Sequence, residues 1–224
     1  MGGPSRLVHA GPPACAQLLA AVSRGLEASA PLPRCADGLA GPLVRAVVGA
    51  EAAARLQSHP LVPLIRDAVA LRTRALDRWV ETWGLELAAA NFIPPTMRRQ
   101  LVIVGGAWDT RVYRLGLHRA TTVFEVLDSS SLLDAKSEAM QRLGAVPRCA
   151  VRRIIADPAS PGAMVAALSR AGFDTRIPTR WLLDDCLPYL PPNHIPSLLS
   201  EARALGSAPG SGLGALALAP EWHA

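Results

Sequence analysis

"QLVIVGGAWDTRVYRL", residues 100–115, is the stretch of sequence that decides the fold. Branched apolar residues at 101–104 lead into Gly105 and Gly106, and a helical pattern begins near Asp109. In parallel α/β sheets, the turn between the first strand and its helix is the usual contact for a phosphate or nucleotide. The stretch therefore predicts either a ligand-binding turn or a plain connection between a core strand and its helix.

The same alternation of short apolar runs and helical patterns continues to the end of the chain. It predicts an α/β fold, with a parallel sheet that carries helices on both faces. "LGALALA" at 213–219 is a candidate for one further strand. The predicted strands are 101–104, 122–127, 151–155 and 179–184, and the predicted helices are one from about 109, 131–143, 162–171 and 193–205.

The residues ahead of this region divide into two segments. Residues 1–40 are rich in Pro, Gly and Ala, which predicts a flexible or weakly helical leader. Residues 41–98 predict an N-terminal helical cap, because apolar residues recur there at three- and four-residue intervals until Pro94 and Pro95. Residues 99–224 then form the predicted sheet-containing core.

Composition excludes several classes of protein. Half of the 224 residues are hydrophobic and 18% are charged, which is typical of a globular chain. The net charge of +5 comes from scattered arginines without a basic run interleaved with aromatics, which argues against a nucleic-acid partner. No apolar run approaches the roughly 20 residues that cross a bilayer, so no membrane association is predicted. Oligomeric state is not predicted.

The cysteines and the N-terminus bear on location and on metals. Four cysteines lie far apart in the sequence, without the spacing of a zinc ribbon or a redox pair. They are expected to be free thiols in a reducing compartment, which predicts a cytoplasmic protein. The absence of an acidic residue before Glu27 leaves organelle targeting by the leader as the alternative. No cluster of His, Cys and acids has metal-ligand spacing, so no metal is predicted.

The glycine turn can be tested against known nucleotide motifs. "GGAWDT" is neither G-x-G-x-x-G nor a P-loop, so it names no particular nucleotide. Glu125 lies twenty residues after Gly105, at the predicted tip of the second strand. An acid at about that separation holds ribose hydroxyls in dinucleotide-binding sheets. The pair of features predicts a ribose-bearing ligand.

A set of motifs in a fixed order adds a family resemblance. Together they resemble the leucine carboxyl methyltransferase family, and within it the bacterial-type branch of S-adenosyl-L-methionine-dependent methyltransferases, over roughly residues 60–213. The resemblance implies the class I methyltransferase (Rossmann-like) fold and S-adenosyl-L-methionine as the cofactor. The motifs are "RTRALD" at 72–77, "VIVGGAWDTRVYRL" at 102–115, "VFEVLDSSSLLDAK" at 123–136, "AD" at 156–157, "AGFDTRIPT" at 171–179 and "WLLDDCLPYLPP" at 181–192.

The resemblance also implies which residues bind the cofactor. Arg72 matches the family arginine that pairs with the methionine carboxylate, its alternative being a solvated helix arginine. Gly105 matches the first glycine of the family's Gly-Ala-Gly turn, and Ala107 stands where that turn has its second glycine. Asp109 is expected mainly to cap the following helix, with a role towards the cofactor as the second interpretation.

Three acids and a tyrosine complete the implied set. Asp128 matches the ribose-binding aspartate, although "EVLD" is one residue longer than the family's Glu-Val-Asp, so Glu125 is the fallback. Asp157 matches the acid on the adenine side, and Asp184 matches a family glutamate at the tip of the fourth strand. Tyr189 is implied to line the pocket, unless it is a core tyrosine.

The resemblance predicts an O-methyltransferase that acts on a carboxylate or hydroxyl of a small molecule or a peptide C-terminus. No catalytic residue is assigned, since a carboxylate acceptor is already ionised and needs no general base. Family members continue with further strands where this chain stops, so the C-terminal strands are expected to be incomplete. A divergent or truncated methyltransferase-like protein that serves as an interaction module is therefore the alternative. An unrelated nucleotide-binding α/β protein, such as a dehydrogenase, is the third hypothesis.

Overall fold

The computed structural model describes residues 11–89, 98–160, 162–184 and 186–216. The chain divides into two compact units, each of which is assembled from several stretches of sequence. The first unit contains the chain up to Asp77, together with Ala107–Arg114 and Ser130–Val146. The second unit contains Arg78–Gly106, Leu115–Ser129 and the chain from Pro147 onward. The predicted segment boundaries at 40/41 and 98/99 stay predictions.

The second unit is built on a five-stranded parallel sheet. Its strand order is β3-β2-β1-β4-β5, and all four strand pairs are parallel. This arrangement confirms the predicted α/β class and the Rossmann-like topology. The predicted 213–219 strand corresponds to β5 as far as Leu216, and its last residues lie outside the described part of the chain. The strands are β1 Arg99–Val104, β2 Thr121–Leu127, β3 Ala150–Ile155, β4 Thr179–Asp184 and β5 Gly212–Leu216.

Two helices cover one face of this sheet. They are α7, Ala163–Arg170, and α8, Ile195–Leu205, which begin and end within about two residues of the predicted bounds. Alternate strand residues face them, since successive side chains of a strand point to opposite faces. Phe173 adds an edge-on aromatic contact, with its ring centroid 5.5 Å from that of Phe124. The buried residues of this face are Val102, Val104, Phe124, Val126, Ile154, Trp181 and Leu183 from the strands and Met164, Leu168 and Leu198 from the helices.

A helix also lies on the opposite face. The end of α4 (Leu61–Ala89) belongs to the second unit from Arg78 onward. A Cβ added to Gly214 of β5 would lie 2.9 Å from the Trp79 ring, so the glycine lets the helix approach the strand closely. The guanidinium carbon of Arg180 stacks 4.3 Å from the Trp79 ring centroid, and Arg180 also pairs with Glu86. The prediction of helices on both faces is therefore confirmed.

The first unit is helical. Helix α1 spans part of the predicted leader, and its residues Ala20, Ala21 and Val22 are buried. A Cβ added to Gly25 of α1 would lie 2.6 Å from the backbone nitrogen of Gly41, so two helices approach closely there. The helices are α1 Gly11–Ala28, α2 Ala40–Val48, α3 Ala50–Gln57, the first part of α4, α5 Arg111–Arg114 and α6 Ser130–Arg142.

A buried ion cluster ties α1 to the chain that follows. The carboxylate of Glu27 is 1% exposed and accepts hydrogen bonds from Arg34 Nε at 2.9 Å and Arg66 Nε at 2.8 Å. Hydrogen bonds from Arg34, and then from Arg66, outweigh the effect of burial and hold the pKa of Glu27 well below its ordinary value. Glu27 is therefore a buried, charged group of this unit.

Three further observations concern the cysteines, the helices and the residues that bind metals. Cys35 and Cys149 are free thiols, and burial together with the charge of Glu125 raises the pKa of Cys149 to about 11. Among the described residues, none of the helices has the length and apolar character that crossing a bilayer needs. Within the same residues, no group of three or more His, Cys, Asp or Glu is placed to hold a metal ion.

Candidate functional site

The strand order of the second unit defines where a ligand would bind. From β1 the chain proceeds outward to β2 and β3, and then returns to β4 on the other side of β1. The order therefore reverses between β1 and β4, and ligands of open α/β sheets bind beyond the carboxyl ends of the strands at such a point. Gly105 follows β1, Asp128 follows β2, Asp157 lies just beyond β3 and Asp184 ends β4. The structure thus brings four predicted site residues to one edge of the sheet.

Gly105 has a backbone conformation that glycine favours. Its φ is +79°, and its N–H donates to the carbonyl oxygen of Val126 at 3.0 Å, which extends the pairing of β1 with β2. A side chain at this φ would strain the turn. The predicted approach of a ligand to the backbone at Gly105 stays a prediction.

The two candidates for the ribose acid lie in different environments. Strand β2 pairs in unbroken register from Thr121 to Leu127, so the extra residue of "EVLD" is accommodated after the strand. Glu125 is 3% exposed and lies opposite Ile103 inside the sheet, so its predicted position at the strand tip is wrong. Asp128 is exposed directly after the strand, and its carboxylate forms no ion pair with another described residue. Its role with the ribose stays a prediction.

Asp157 is exposed but structurally engaged. One carboxylate oxygen accepts from the Ala159 N–H at 2.8 Å, and the other accepts from the Ser160 hydroxyl at 2.9 Å. These bonds close the turn after β3. Each carboxylate oxygen has a second lone pair, so the group can still accept from a ligand amine.

Asp184 and Tyr189 are described through their backbone alone. Asp184 lies opposite Leu216 in the pairing of β4 with β5, and Tyr189 ends a 3₁₀ turn that begins at Leu187. Their side chains lie outside the described part of the structure. The pocket roles predicted for both residues stay predictions.

Arg72 belongs to the first unit, in helix α4. It is only 6% exposed, so it is not the solvated helix arginine of the alternative interpretation. A buried guanidinium needs a carboxylate or several acceptors around it. Its predicted pairing with a cofactor carboxylate stays a prediction.

Asp109 is the predicted helix cap, and the structure confirms that role. Its Oδ1 accepts from the backbone N–H of Arg111, the first residue of α5, at 2.7 Å, and its other oxygen pairs with the Arg111 guanidinium. Arg111 Nε also donates to Asp77 at 2.8 Å, and Arg114 donates to both oxygens of Asp77. The "DTR" triplet is therefore anchored by charge pairs inside the first unit.

A second carboxylate extends this network to the N-terminal helices. Asp37 accepts from Thr110 Oγ1 at 2.7 Å and from Arg24 Nε at 2.8 Å. Burial by itself would raise the pKa of Asp37, but the charges of Arg24 and Arg114 outweigh it and hold the pKa below its ordinary value. Sequence reasoning missed this network, because its partners lie up to 84 residues apart and no local spacing marks them.

Comparisons with known proteins agree with the motif pattern. The model of a family described as leucine carboxyl methyltransferase matches residues 17–203. A protein of Mycobacterium marinum is 35% identical over 92% of this chain and 64% of its own length. A protein of Mycolicibacterium smegmatis is 34% identical over 86% of this chain and 62% of its own length. A protein of Mycobacterium avium is 34% identical over 87% of this chain and 63% of its own length.

All three relatives carry the name "putative S-adenosyl-L-methionine-dependent methyltransferase". The chain spans slightly less than two thirds of the length of these curated relatives. The similarity therefore extends across both units of this chain and part of each relative.

Proposed function

The chain belongs to the leucine carboxyl methyltransferase family, and from this premise we propose that it is an S-adenosyl-L-methionine-dependent O-methyltransferase. The acceptor is a carboxylate or hydroxyl of a small molecule or of a peptide C-terminus. One observation carries the proposal: four predicted cofactor positions follow or end four neighbouring strands of the sheet. They share the edge at which ligands of such sheets bind.

Each residue has a role that follows from its chemistry. Gly105 lets the backbone approach the cofactor, and the exposed carboxylate of Asp128 accepts hydrogen bonds from the ribose hydroxyls. Asp157 keeps lone pairs that can accept from the adenine amine, beside the bonds that close its own turn. Asp184 adds an acid at the end of β4, and the Arg72 guanidinium pairs with the methionine carboxylate.

The reaction asks little acid–base chemistry of the protein. The bound cofactor supplies an electrophilic methyl group on a positively charged sulfur. Transfer of this group would require an acceptor oxygen in line with it and a site that excludes water. A carboxylate acceptor arrives ionised and needs no proton transfer, whereas a hydroxyl acceptor needs a general base. The carboxylate is therefore the acceptor that this residue set serves more simply.

A cytoplasmic location completes the proposal. Its support is the free state of Cys35 and Cys149, which a reducing compartment maintains. Fractionation of cells that produce the protein, with the thiols blocked at lysis, tests this part. A secreted pool with disulfide-linked cysteines would contradict it.

Calorimetric titration of the 224-residue chain tests the cofactor assignment. We expect S-adenosylhomocysteine to bind and NAD to show no binding under the same conditions. Binding of NAD alone would contradict the family-based assignment. If neither ligand binds, the interaction-module alternative is favoured, and its support is Ala107 in place of a glycine and the use of Asp157 in its own turn.

A further inference from the structure

We infer that Asp37 is a positioning residue, through which the N-terminal helices hold the loop after β1 in the conformation that cofactor binding requires. The inference rests on the proposed function and deepens it. Asp37 lies between α1 and α2 and is 0% exposed. Neither the sequence motifs nor the family resemblance had marked this residue.

The carboxylate of Asp37 accepts hydrogen bonds from three parts of the first unit. Its Oδ1 accepts from Thr110 Oγ1 at 2.7 Å and from the Ala40 N–H at 3.1 Å, at the start of α2. Its Oδ2 accepts from Arg24 Nε of α1 at 2.8 Å, and Arg114 Nε lies 3.5 Å from Oδ1. One buried group therefore links α1, the start of α2 and the chain at Thr110.

Arg24 supplies a second attachment to the same loop. Its Nη2 donates to the carbonyl oxygen of Trp108 at 2.7 Å, while its Nε binds Asp37. Trp108 and Thr110 are therefore held at two points, within five residues of Gly105 in the sequence. Fixing the backbone at both points removes conformational freedom from the turn that precedes them.

The charged character of this junction indicates orientation more than stability. The cluster contains three carboxylates that pair with three arginines, namely Asp37, Asp77, Asp109, Arg24, Arg111 and Arg114. Well-packed apolar side chains would stabilise such a junction without the desolvation of six charges. Charge-assisted hydrogen bonds instead fix the direction of each group. That is the property a ligand-binding turn requires.

Paired variants test the inference on the full chain. Asp37→Asn removes the charge. Thr110→Val removes, at nearly constant shape, the hydroxyl that donates to Asp37 and accepts from Arg114 Nε at 3.0 Å. We expect each change to weaken S-adenosylhomocysteine binding about tenfold and to speed ligand-free amide exchange at 107–111 about tenfold. Thr110→Ser keeps the hydroxyl and should restore both measurements. If Asp37→Asn does not fold, the two Thr110 variants decide the matter.

Glu27→Gln is the matched control for a purely structural effect. Glu27 is also a buried carboxylate held by arginines of the first unit, but its partners Arg34 and Arg66 do not reach the loop. We expect it to lower the melting temperature while leaving the affinity and the exchange of 107–111 unchanged. Equal effects of Glu27→Gln and Thr110→Val on the loop would overturn the inference, as would no effect of Thr110→Val.

Failure of the proposed function is distinguishable from failure of this inference. A wild-type chain that does not bind S-adenosylhomocysteine contradicts the proposed function. The exchange measurement needs no ligand, so it still shows whether Asp37 orders the loop. Unchanged exchange in a well-folded Asp37→Asn variant contradicts the inference even when the wild-type chain binds the ligand.

Discussion

Two pairs of carboxylates in this protein, one pair in each unit, have opposite environments. In the first unit, Glu27 and Asp37 are buried, and each forms ion pairs with arginines. In the second unit, Asp128 and Asp157 are exposed beyond the ends of β2 and β3, above an apolar core. Glu27 and Asp37 therefore join segments of the first unit, whereas Asp128 and Asp157 are accessible to a ligand. Burial and pairing, which the composition does not reveal, separate the two uses.

The largest expected effect concerns the turn at the edge of the sheet. Gly105→Val puts a branched side chain at a φ of +79° in a buried turn, so S-adenosylhomocysteine affinity should fall by at least about a hundredfold. Calorimetry measures the affinity. Gly116→Val is the control, because a Cβ at Gly116 meets no atom within 4 Å. Unchanged affinity in Gly105→Val would contradict the assignment of this turn, with Asp128 and Asp157, to the cofactor site.

A substitution that creates a cavity tests how much the apolar core of the second unit contributes to stability. Leu168 on α7 is 0% exposed, so Leu168→Ala should lower the free energy of unfolding by about 3 kcal/mol. Leu213→Ala on β5, which is 41% exposed, should cost less than about 1 kcal/mol. Denaturant unfolding monitored by tryptophan fluorescence compares the two. Equal losses would mean that the face packed by α7 and α8 is not the main source of stability.

A single accessible carboxylate should matter less than the turn. Asp128→Asn retains shape and one acceptor but loses the charge, so S-adenosylhomocysteine affinity should fall about tenfold at unchanged stability. Glu125→Gln should instead alter stability, because Glu125 lies inside the sheet. Calorimetry and thermal unfolding together separate the two residues. If Asp128→Asn binds S-adenosylhomocysteine normally and Glu125→Gln binds it more weakly, the assignment of the ribose-binding acid is reversed.

The smallest expected effect is the pH dependence that the buried carboxylates Glu27 and Asp37 give to the free energy of unfolding. The folded pKa values of Glu27 and Asp37 lie below their unfolded values of about 4, so folding releases protons there. Their stabilisation is complete above that unfolded value and is lost as the pH falls below it. Glu27→Gln should therefore flatten the decline of stability between about pH 5 and pH 3.

Glu51 provides the exposed counterpart for that measurement. It pairs with Arg55 on the surface of α3, where both side chains are mostly exposed. Glu51→Gln should change the free energy of unfolding by less than about 0.5 kcal/mol and leave the pH profile unaltered. A profile that responds equally to Glu27→Gln and Glu51→Gln would show that burial does not distinguish the two acids.

The sheet was predictable from the sequence because residues that are neighbours in the chain mark each strand. Each strand is a short apolar run bounded by turn residues, and β4 begins and ends at the predicted residues 179 and 184. The position of Asp128 was also predictable, since a strand that ends there can accommodate an extra residue in its loop. Glu125 was predicted at the tip of the second strand, but β2 extends two residues beyond it, to Leu127.

The hydrogen-bond network around Asp37 was not predictable, because its members lie far apart in the sequence. Asp37 and Thr110 lie 73 residues apart, and only the folded chain brings the carboxylate to the hydroxyl. The Ala-, Gly- and Pro-rich composition of the first 40 residues indicated weak structure, whereas α1 has a buried face. Small residues there permit the close approach of Gly25 to Gly41, which periodicity does not reveal.

A crystal structure of the chain with S-adenosylhomocysteine tests the central claim most directly. The account predicts the ligand at the carboxyl ends of β1 to β4, with its ribose hydroxyls on Asp128 and its adenine beside Asp157. Density for the ligand at the opposite edge of the sheet, or a bound ribose that does not touch Asp128, would contradict it.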